Sequence, residues 1–293
     1  MDGSYLEKIE AIHYSIRRHY DFDESSRKGA SRMYQAQSYI LTKSAAQAYA
    51  LLQEDPKNTV IGGGMWLRMG RGVYHTLIDI SLLGLDQIKE TECGVEIGAM
   101  VTLRQVETSK LLRRIYSAVF AQCTTPIVGV QFRNMATIGG TVCGRYGFSD
   151  IIPVLLALDA ELMFHHAGTV SLEAHMAAPV RRDLLTGIRL PKDGRSAAYA
   201  TVRNTATDYG LLNVCGACLA DGSWRLVIGA RPAAAVRCVE AEICLAADDP
   251  DGAAAAVRQL TYTDNLRAGG EYRRTLAEIL TRRVYGALKG EEA

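Results

Sequence analysis

The sequence has almost no net charge: 33 Lys+Arg stand against 32 Asp+Glu, a formal +1 at pH 7. That balance excludes the broad basic footprint with which a chain grips nucleic acid or an anionic membrane. No apolar run approaches the roughly 20 residues that span a bilayer. Residues 1–29 lack the apolar centre and small-residue cleavage site of a signal peptide, so the expectation is a cytoplasmic protein. Internal repeats and low-complexity linkers are missing too. What remains is a chain of 293 residues, 48% hydrophobic and 22% charged, long enough for two ordinary domains and too apolar to be mainly disordered.

Metal and nucleophile signatures are equally scarce. Seven cysteines (Cys93, Cys123, Cys143, Cys215, Cys218, Cys238 and Cys244) are an odd number scattered along the chain, which reads as reduced thiols. Cys215-x-x-Cys218 lies in LLNVCGACLADGSWRLVIGA, where Asp221-Gly222 marks a hairpin and strand alternation sends the two thiols to opposite faces. No second CxxC follows at zinc or cluster spacing. His165-His166, before Ala167-Gly168, reads as an exposed turn, and His75 and His175 have no ligand-spaced partner. Nothing carries the local signature of a Ser-His-Asp triad. No metal site and no acid, base or nucleophile is nominated.

Periodicity and capping signals predict an α+β chain. Residues 1–30 form a charged, aromatic extension with an amphipathic helix around Tyr5–Tyr20, read equally as a docking appendage or a frayed tail. In residues 31–191 we expect a helix over Ser44–Gln53, ended by Asp55-Pro56, and strands at Thr59–Ile61, Thr76–Ile80 and Val95–Ala99. Thr102 and Gln105 form a capping box that opens a helix toward Leu112, and a second helix covers Tyr116–Gln122. Thr137–Val142 reads as strand, Ser149-Asp150 as the cap of a helix with Pro153 in its first turn, and Ala160–Phe164 as strand, with the segment Leu184–Pro191 closing this part. In residues 192–293, strands at Ala197–Arg203, Leu211–Ala220 and Trp224–Ala230 precede helices near Asp251–Leu260 and Glu271–Ala287, the pattern of a separate small α+β domain.

Two glycine-rich segments carry the chemistry. In the first, the strand Thr59-Val60-Ile61 runs into Gly62-Gly63-Gly64-Met65-Trp66, where backbone can approach a ligand and successive amides can cradle an anion. It is no Walker A loop, lacking Gly-Lys-Ser/Thr, and Leu67 breaks G-x-G-x-x-G. A plain tight turn is the competing reading. The second segment runs from Arg133 through Thr137-Ile138-Gly139-Gly140-Thr141-Val142-Cys143-Gly144-Arg145 to Ser149-Asp150, small residues leading into a helix start suited to phosphate. Asp150 reads either as an acceptor for ribose hydroxyls or as an N-cap, and Arg133 either as a phosphate contact or as half of an ion pair. Two main-chain cradles without a dedicated lysine suit a flavin dinucleotide.

On these residues the chain resembles the FAD-binding (medium) subunit of the molybdenum hydroxylases, the group containing xanthine, carbon monoxide and nicotinate dehydrogenases. The family block R-N-x-A-T-I-G-G-N…S-D-x-x-P-x-L-L-A-L-x-A is matched by Arg133–Ala160, with further matches at Leu184–Pro191, Arg203 and Asp208, Ile228–Pro232 and Glu271–Ala277. The resemblance implies a PCMH-like FAD domain of two α/β subdomains, then a small domain of three antiparallel strands and helices. It places FAD between the two segments: Val60, Ile61, Gly62, Gly63, Gly64, Met65 and Trp66 on one side, Thr137, Gly139, Gly140, Thr141, Cys143 and Gly144 on the other. It further implies Ser149 and Asp150 near ribose or diphosphate, Ile127 and Val128 at one face of the isoalloxazine, and Leu184 or Leu185 at the other. Departures from the family are Gly64 for Thr, Met65 for a polar residue, Thr141 for Asn, Cys143–Tyr146 for smaller residues, and no lysine shortly before Arg203. Arg145 would add a charged contact. The implied partners are a molybdenum-cofactor large subunit and a 2Fe–2S small subunit, with NAD+ or another electron acceptor. A self-sufficient FAD oxidase and a structural subunit with a decayed flavin site are the alternatives.

Overall fold

Capping side chains and turn residues set most of the elements. The structure, a computed structural model, describes residues 34–92 and 94–290. The helix expected over Tyr5–Tyr20, and Cys93, lie outside them. Strand β1 (Gln35–Leu41) leads to helix α1 (Ala45–Glu54), whose N-cap Ser44 accepts from the Gln47 amide and which ends at Asp55. Strands β2 (Thr59–Ile61) and β3 (Val73–Asp79) follow, then β4 (Ile88–Thr91) and β5 (Gly94–Gly98). The capping box forms: the Gln105 amide donates to Thr102 Oγ1 at 3.2 Å and the Thr102 amide to Gln105 Oε1 at 2.8 Å. It opens α2 (Leu103–Thr108) only, because Ser109 caps a new helix, α3 (Lys110–Tyr116), through the Leu112 amide. Helices α4 (Val119–Thr124), α5 (Val130–Arg133), α6 (Ile138–Gly144) and α7 (Ile151–Ala157) complete this run.

The strand expected at Thr137–Val142 is therefore helical. Thr137 Oγ1 accepts from the Gly140 amide at 3.2 Å and starts α6, and Ile138, Thr141 and Val142 bury one helical face. Gly139, the first of the glycine pair, is needed for packing: a Cβ there would lie 2.6 Å from the Ala99 carbonyl oxygen. Strands β6 (Glu161–Phe164) and β7 (Gly168–Ser171), helix α8 (Leu172–Ala177) and strand β8 (Leu185–Leu190) come next. The remaining elements are β9 (Ser196–Val202), β10 (Leu212–Cys218), β11 (Trp224–Gly229), β12 (Val236–Arg237), α9 (Val239–Ala246), α10 (Pro250–Arg258) and α11 (Gly270–Lys289). The α+β class holds, and the two-residue β12 joins the three expected antiparallel strands as a short edge.

Three sheets result. Parallel β1-β3-β2 carries α1 over a small core of Ala48, Leu52, Ile78, Ile80 and Leu184. The antiparallel sheet β4-β5-β8-β6-β7 backs the main core, which α2 to α7 complete. The antiparallel sheet β12-β11-β10-β9 is buried on both faces: Cys215, Ala217 and Val227 join the main core, whereas Val214, Leu226 and Ile228 join a second core under α9, α10 and α11. This accounts for the nearly unbroken apolar run of β10. Cys215 is buried and Cys218 half-buried against the second core, on opposite faces as alternation requires.

Arg145, expected as a cofactor contact, faces elsewhere. It is the left-handed C-cap of α6 (φ 47°), and its guanidinium donates to the Ala178 carbonyl at 2.8 Å, to the His175 carbonyl and to His175 Nε2 at 3.2 Å. His175 is only 4% exposed. Burial, then the nearby Arg145 and Arg181, push its pKa from 6.5 down to about 4. The folded chain therefore holds His175 neutral, and the unfolded chain takes up its proton first as pH falls. The stability tied to this histidine is full above pH 6.5 and is lost as pH falls from there toward about 4. We expect urea midpoints to drop over that window, and His175→Gln, which keeps an acceptor for Arg145, to flatten the slope. Identical slopes for the two proteins would remove His175 as the cause.

Candidate functional site

The first glycine segment leaves β2 and packs directly on the second. A Cβ on Gly63 would sit 1.5 Å from the Met135 carbonyl oxygen, and one on Gly62 2.5 Å from Thr137 Oγ1. Gly64 has φ +66°, where a threonine would be strained, so its departure from the family pattern follows from the backbone here. The amides of Gly63, Gly64 and Met65 donate to no acceptor among the described residues. Val60, Ile61 and Gly62–Gly64 are half-buried, Met65 enters the main core, and Trp66 opens a short 3-10 turn over Leu67–Met69.

The second segment is organised differently. The amides of Ile138 and Gly139 donate to the carbonyls of Val101 (2.9 Å) and Ala99 (3.0 Å), and those of Gly140 and Thr141 to Thr137. No amide in that turn is left for an anion. What the segment turns outward is the exposed Cα face of Gly140, where a Cβ would meet only Thr137 Oγ1, at 3.1 Å. Cys143 and Gly144 are exposed just beyond it. As β8 begins, Leu184 and Leu185 are buried in two different cores, Leu184 in the small core that Val60 packs against and Leu185 in the main core with Met65 and Ile138.

Between Trp66, the end of the second segment and the chain before β10 lies a cleft that opens to solvent. Trp66, Ile127, Val128, Thr141, Ser149 and Asp150 line it, together with Leu103, Phe132, Tyr146, Phe148, Arg203, Thr207, Asp208 and Tyr209. Val60, Ile61, Gly62, Gly63, Gly64, Met65, Thr137, Gly139, Gly140, Cys143, Gly144, Leu184 and Leu185 are not among the lining residues. Of the lining residues not nominated from sequence, Phe132, Phe148 and Tyr209 converge from three segments. Only the Tyr146-x-Phe148 spacing before Ser149-Asp150 offered a local signal. Trp66 meets Phe132, Tyr146 and Phe148 with ring centroids 5.1–5.3 Å apart, and Tyr209 closes on Phe148 at 4.3 Å.

The polar floor is a buried network. Asp150 Oδ1 accepts from the Tyr199 hydroxyl at 2.5 Å, from Arg203 Nη2 and from Asn213 Nδ2 at 3.4 Å. Capping falls to Ser149, whose Oγ accepts the Ile152 amide at 3.2 Å, so Asp150 occupies the N-cap position without capping. Burial, reinforced by the Asp150 charge, drives the Tyr199 hydroxyl well above its usual range and keeps it a donor. For Arg203 burial is the largest single influence and opposes the charge, yet the bond to Asp150, the Asp150 charge and Tyr199 together outweigh it and raise the pKa. Arg203 Nε is buried without a partner, and Asp150 Oδ2 makes no hydrogen bond among the described residues. The described residues contain no cluster of three metal-ligating side chains, and no helix long and apolar enough to cross a membrane.

Arg133 resolves toward structure. It pairs with Glu107 at 2.8 Å, both side chains being under 10% exposed, and donates to the Ile127 carbonyl at 3.0 Å. The same contact fixes the turn at Val128, a β-branched residue with φ +46° that is exposed at the cleft. That conformation costs of order 1–3 kcal/mol and is found where surrounding contacts hold a functional rim in place.

Comparison with known proteins agrees with this architecture. The family described as FAD binding domain in molybdopterin dehydrogenase matches residues 32–193, more than half of the chain. The glyceraldehyde dehydrogenase medium chain of Sulfolobus acidocaldarius is 27% identical over 274 residues, spanning 85% of this chain and 96% of that one. The nicotine 6-hydroxylase medium subunit of Paenarthrobacter nicotinovorans is 25% identical, spanning 84% and 95%. A chain of carbon monoxide dehydrogenase from Hydrogenophaga pseudoflava shares the fold with a TM-score of 0.78 at 22% identity, covering 87% of this chain and 98% of its own. The chain belongs to the FAD-binding domain family of the molybdopterin dehydrogenases: it is a flavoprotein component of an oxidoreductase, with FAD as its cofactor.

Proposed function

We propose that this chain is the electron-transfer subunit of a molybdenum hydroxylase-type dehydrogenase. A partner large subunit with the molybdenum cofactor oxidises the substrate, and a 2Fe–2S small subunit relays electrons to this chain, which hands them to NAD+ or another acceptor. The observation that carries the reading is the row of unbonded amides at Gly63, Gly64 and Met65, leading into a cleft with an aromatic wall and an Asp150–Arg203 floor. Backbone amides there favour a diphosphate, and the cleft favours a ring system with hydrogen-bonding edges. FAD supplies the redox chemistry when bound. The chain's own residues bind and orient: Gly62–Trp66 wrap the diphosphate, the open face of Gly140 lets backbone approach it, and Ser149 and Asp150 accept from hydroxyls. Ile127 and Val128 border the ring. No proton-transfer residue is assigned. Residues 31–191 serve as the FAD-binding domain and residues 192–293 as the smaller α+β domain that completes the cleft through Arg203, Asp208 and Tyr209. Two relatives named as medium chain or medium subunit support a place in a larger assembly.

One FAD per chain, held without a covalent bond, is expected, and acid precipitation should leave the flavin in the supernatant. A colourless chain that cannot be reconstituted with FAD would favour the decayed-site alternative. Gly140→Val should keep the circular dichroism spectrum and lower FAD affinity at least tenfold. Full flavin content and affinity in that variant would take Gly140 out of the cofactor site. Native purification followed by mass spectrometry and metal analysis should find molybdenum- and iron–sulfur-bearing chains bound to this one. A lone monomer that oxidises a substrate unaided would replace the subunit reading with the oxidase.

A further inference from the structure

The loop between α6 and α7 is built to display two aromatic rings. A Cβ on Gly144 would lie 2.4 Å from Tyr146 Cε2, so the ring of Tyr146 is seated on bare backbone. At Gly147 the chain runs against the Ala233 backbone, whose carbonyl oxygen would be 3.0 Å from a Cβ, and the Ala230 amide donates to the Gly147 carbonyl at 3.2 Å. Glycines on either side thus press the loop down and lift Tyr146 and Phe148 toward the cleft. The two rings stack at 5.1 Å with planes 16° apart, and Trp66 from the first glycine segment leans on both. All three rings line the cleft and remain half-buried, so each has one packed face and some open surface. Ordinary core packing does not require two glycines and a loop of this shape. The polar groups beside the wall, Asp150 Oδ2 and Arg203 Nε, are the unpaired ones.

We propose that Trp66, Tyr146 and Phe148 form a stacking wall for a planar heteroaromatic ring of the bound FAD. The inference rests on the cofactor reading above and extends it from the backbone of the two glycine segments to the rings they carry. Ring stacking takes the place of the side-chain hydrogen bonds that Met65 and Thr141 cannot supply in the family's usual form. Either the isoalloxazine or the adenine has the required chemistry, and FMN and ADP used as separate probes tell them apart.

The test uses the full chain stripped of flavin and refilled by titration. Tyr146→Leu and Phe148→Leu remove the ring and keep an apolar side chain, which guards against simple unfolding. Each should weaken FAD binding by about two- to tenfold, the range expected for loss of one aromatic pair. In a Trp224→Phe background Trp66 is the one remaining tryptophan, and FAD should quench its emission. Weakened FMN binding with ADP unchanged assigns the isoalloxazine, the reverse assigns the adenine, and either supports the wall. Unchanged FAD affinity in both leucine variants overturns it, as does tighter binding, which would make the rings an obstruction. A wild-type chain that takes up no FAD at all overturns the cofactor reading and this inference together. Wild-type uptake with unaffected variants overturns this inference alone.

Discussion

One carboxylate oxygen, Oδ1 of Asp150, joins the start of α7 to the third sheet. Its three donors come from β9, from the residue just after β9 and from β10, all inside the protein. Removing the carboxylate would strand the buried Arg203 charge, at a cost of roughly 3–5 kcal/mol. The network gives the cleft a rigid floor, and through Ser149 it fixes where α7 begins. The direction of the loop carrying Tyr146 and Phe148 follows from that position.

A second constraint acts at the same joint. Because β9–β11 contribute to two cores, their inner face is as necessary to the FAD-binding family region as the elements of that region themselves. Asp159 reinforces the seam, receiving Arg195 at 2.9 Å and Arg225 at 3.0 Å. Arg195 is itself 5% exposed and also donates to the Ala157 carbonyl at the end of α7. Cutting the chain near residue 192 would expose the apolar underside of α4 and α7 along with these partners.

Local signals in the sequence were strongest where a side chain acts on its own backbone. Ser44, the Thr102–Gln105 pair and Asp221-Gly222 each mark an element boundary that the fold keeps, because capping and turn geometry need only neighbours in the chain. Thr137–Val142 misleads because β-branched residues around two glycines look like a strand, although Thr137 caps a helix through the Gly140 amide and the Gly139 amide is taken by the distant Ala99 carbonyl. Helix α9 and strand β12 escaped notice since their stability comes from docking on β11 rather than from local pattern. The cleft divides in the same way. Trp66, Thr141, Ser149 and Asp150 sit on or beside glycine-rich stretches that draw attention. Phe132 and Tyr209 reach the cleft only through tertiary packing, and no spacing in the sequence links them.

The tight fit of Gly62 and Gly63 against Met135 and Thr137 changes what those glycines report. Any side chain at either position would wedge the two segments apart, so selection for folding alone holds both glycines in place. A descendant that had given up its flavin would still carry them, along with Gly139 against Ala99. Gly140 has no such duty, and neither do the ring positions of Tyr146 and Phe148. With the cofactor roles proposed for those three positions, drift there, rather than loss of the glycine run, would be the earliest record a lineage leaves of a cofactor no longer carried.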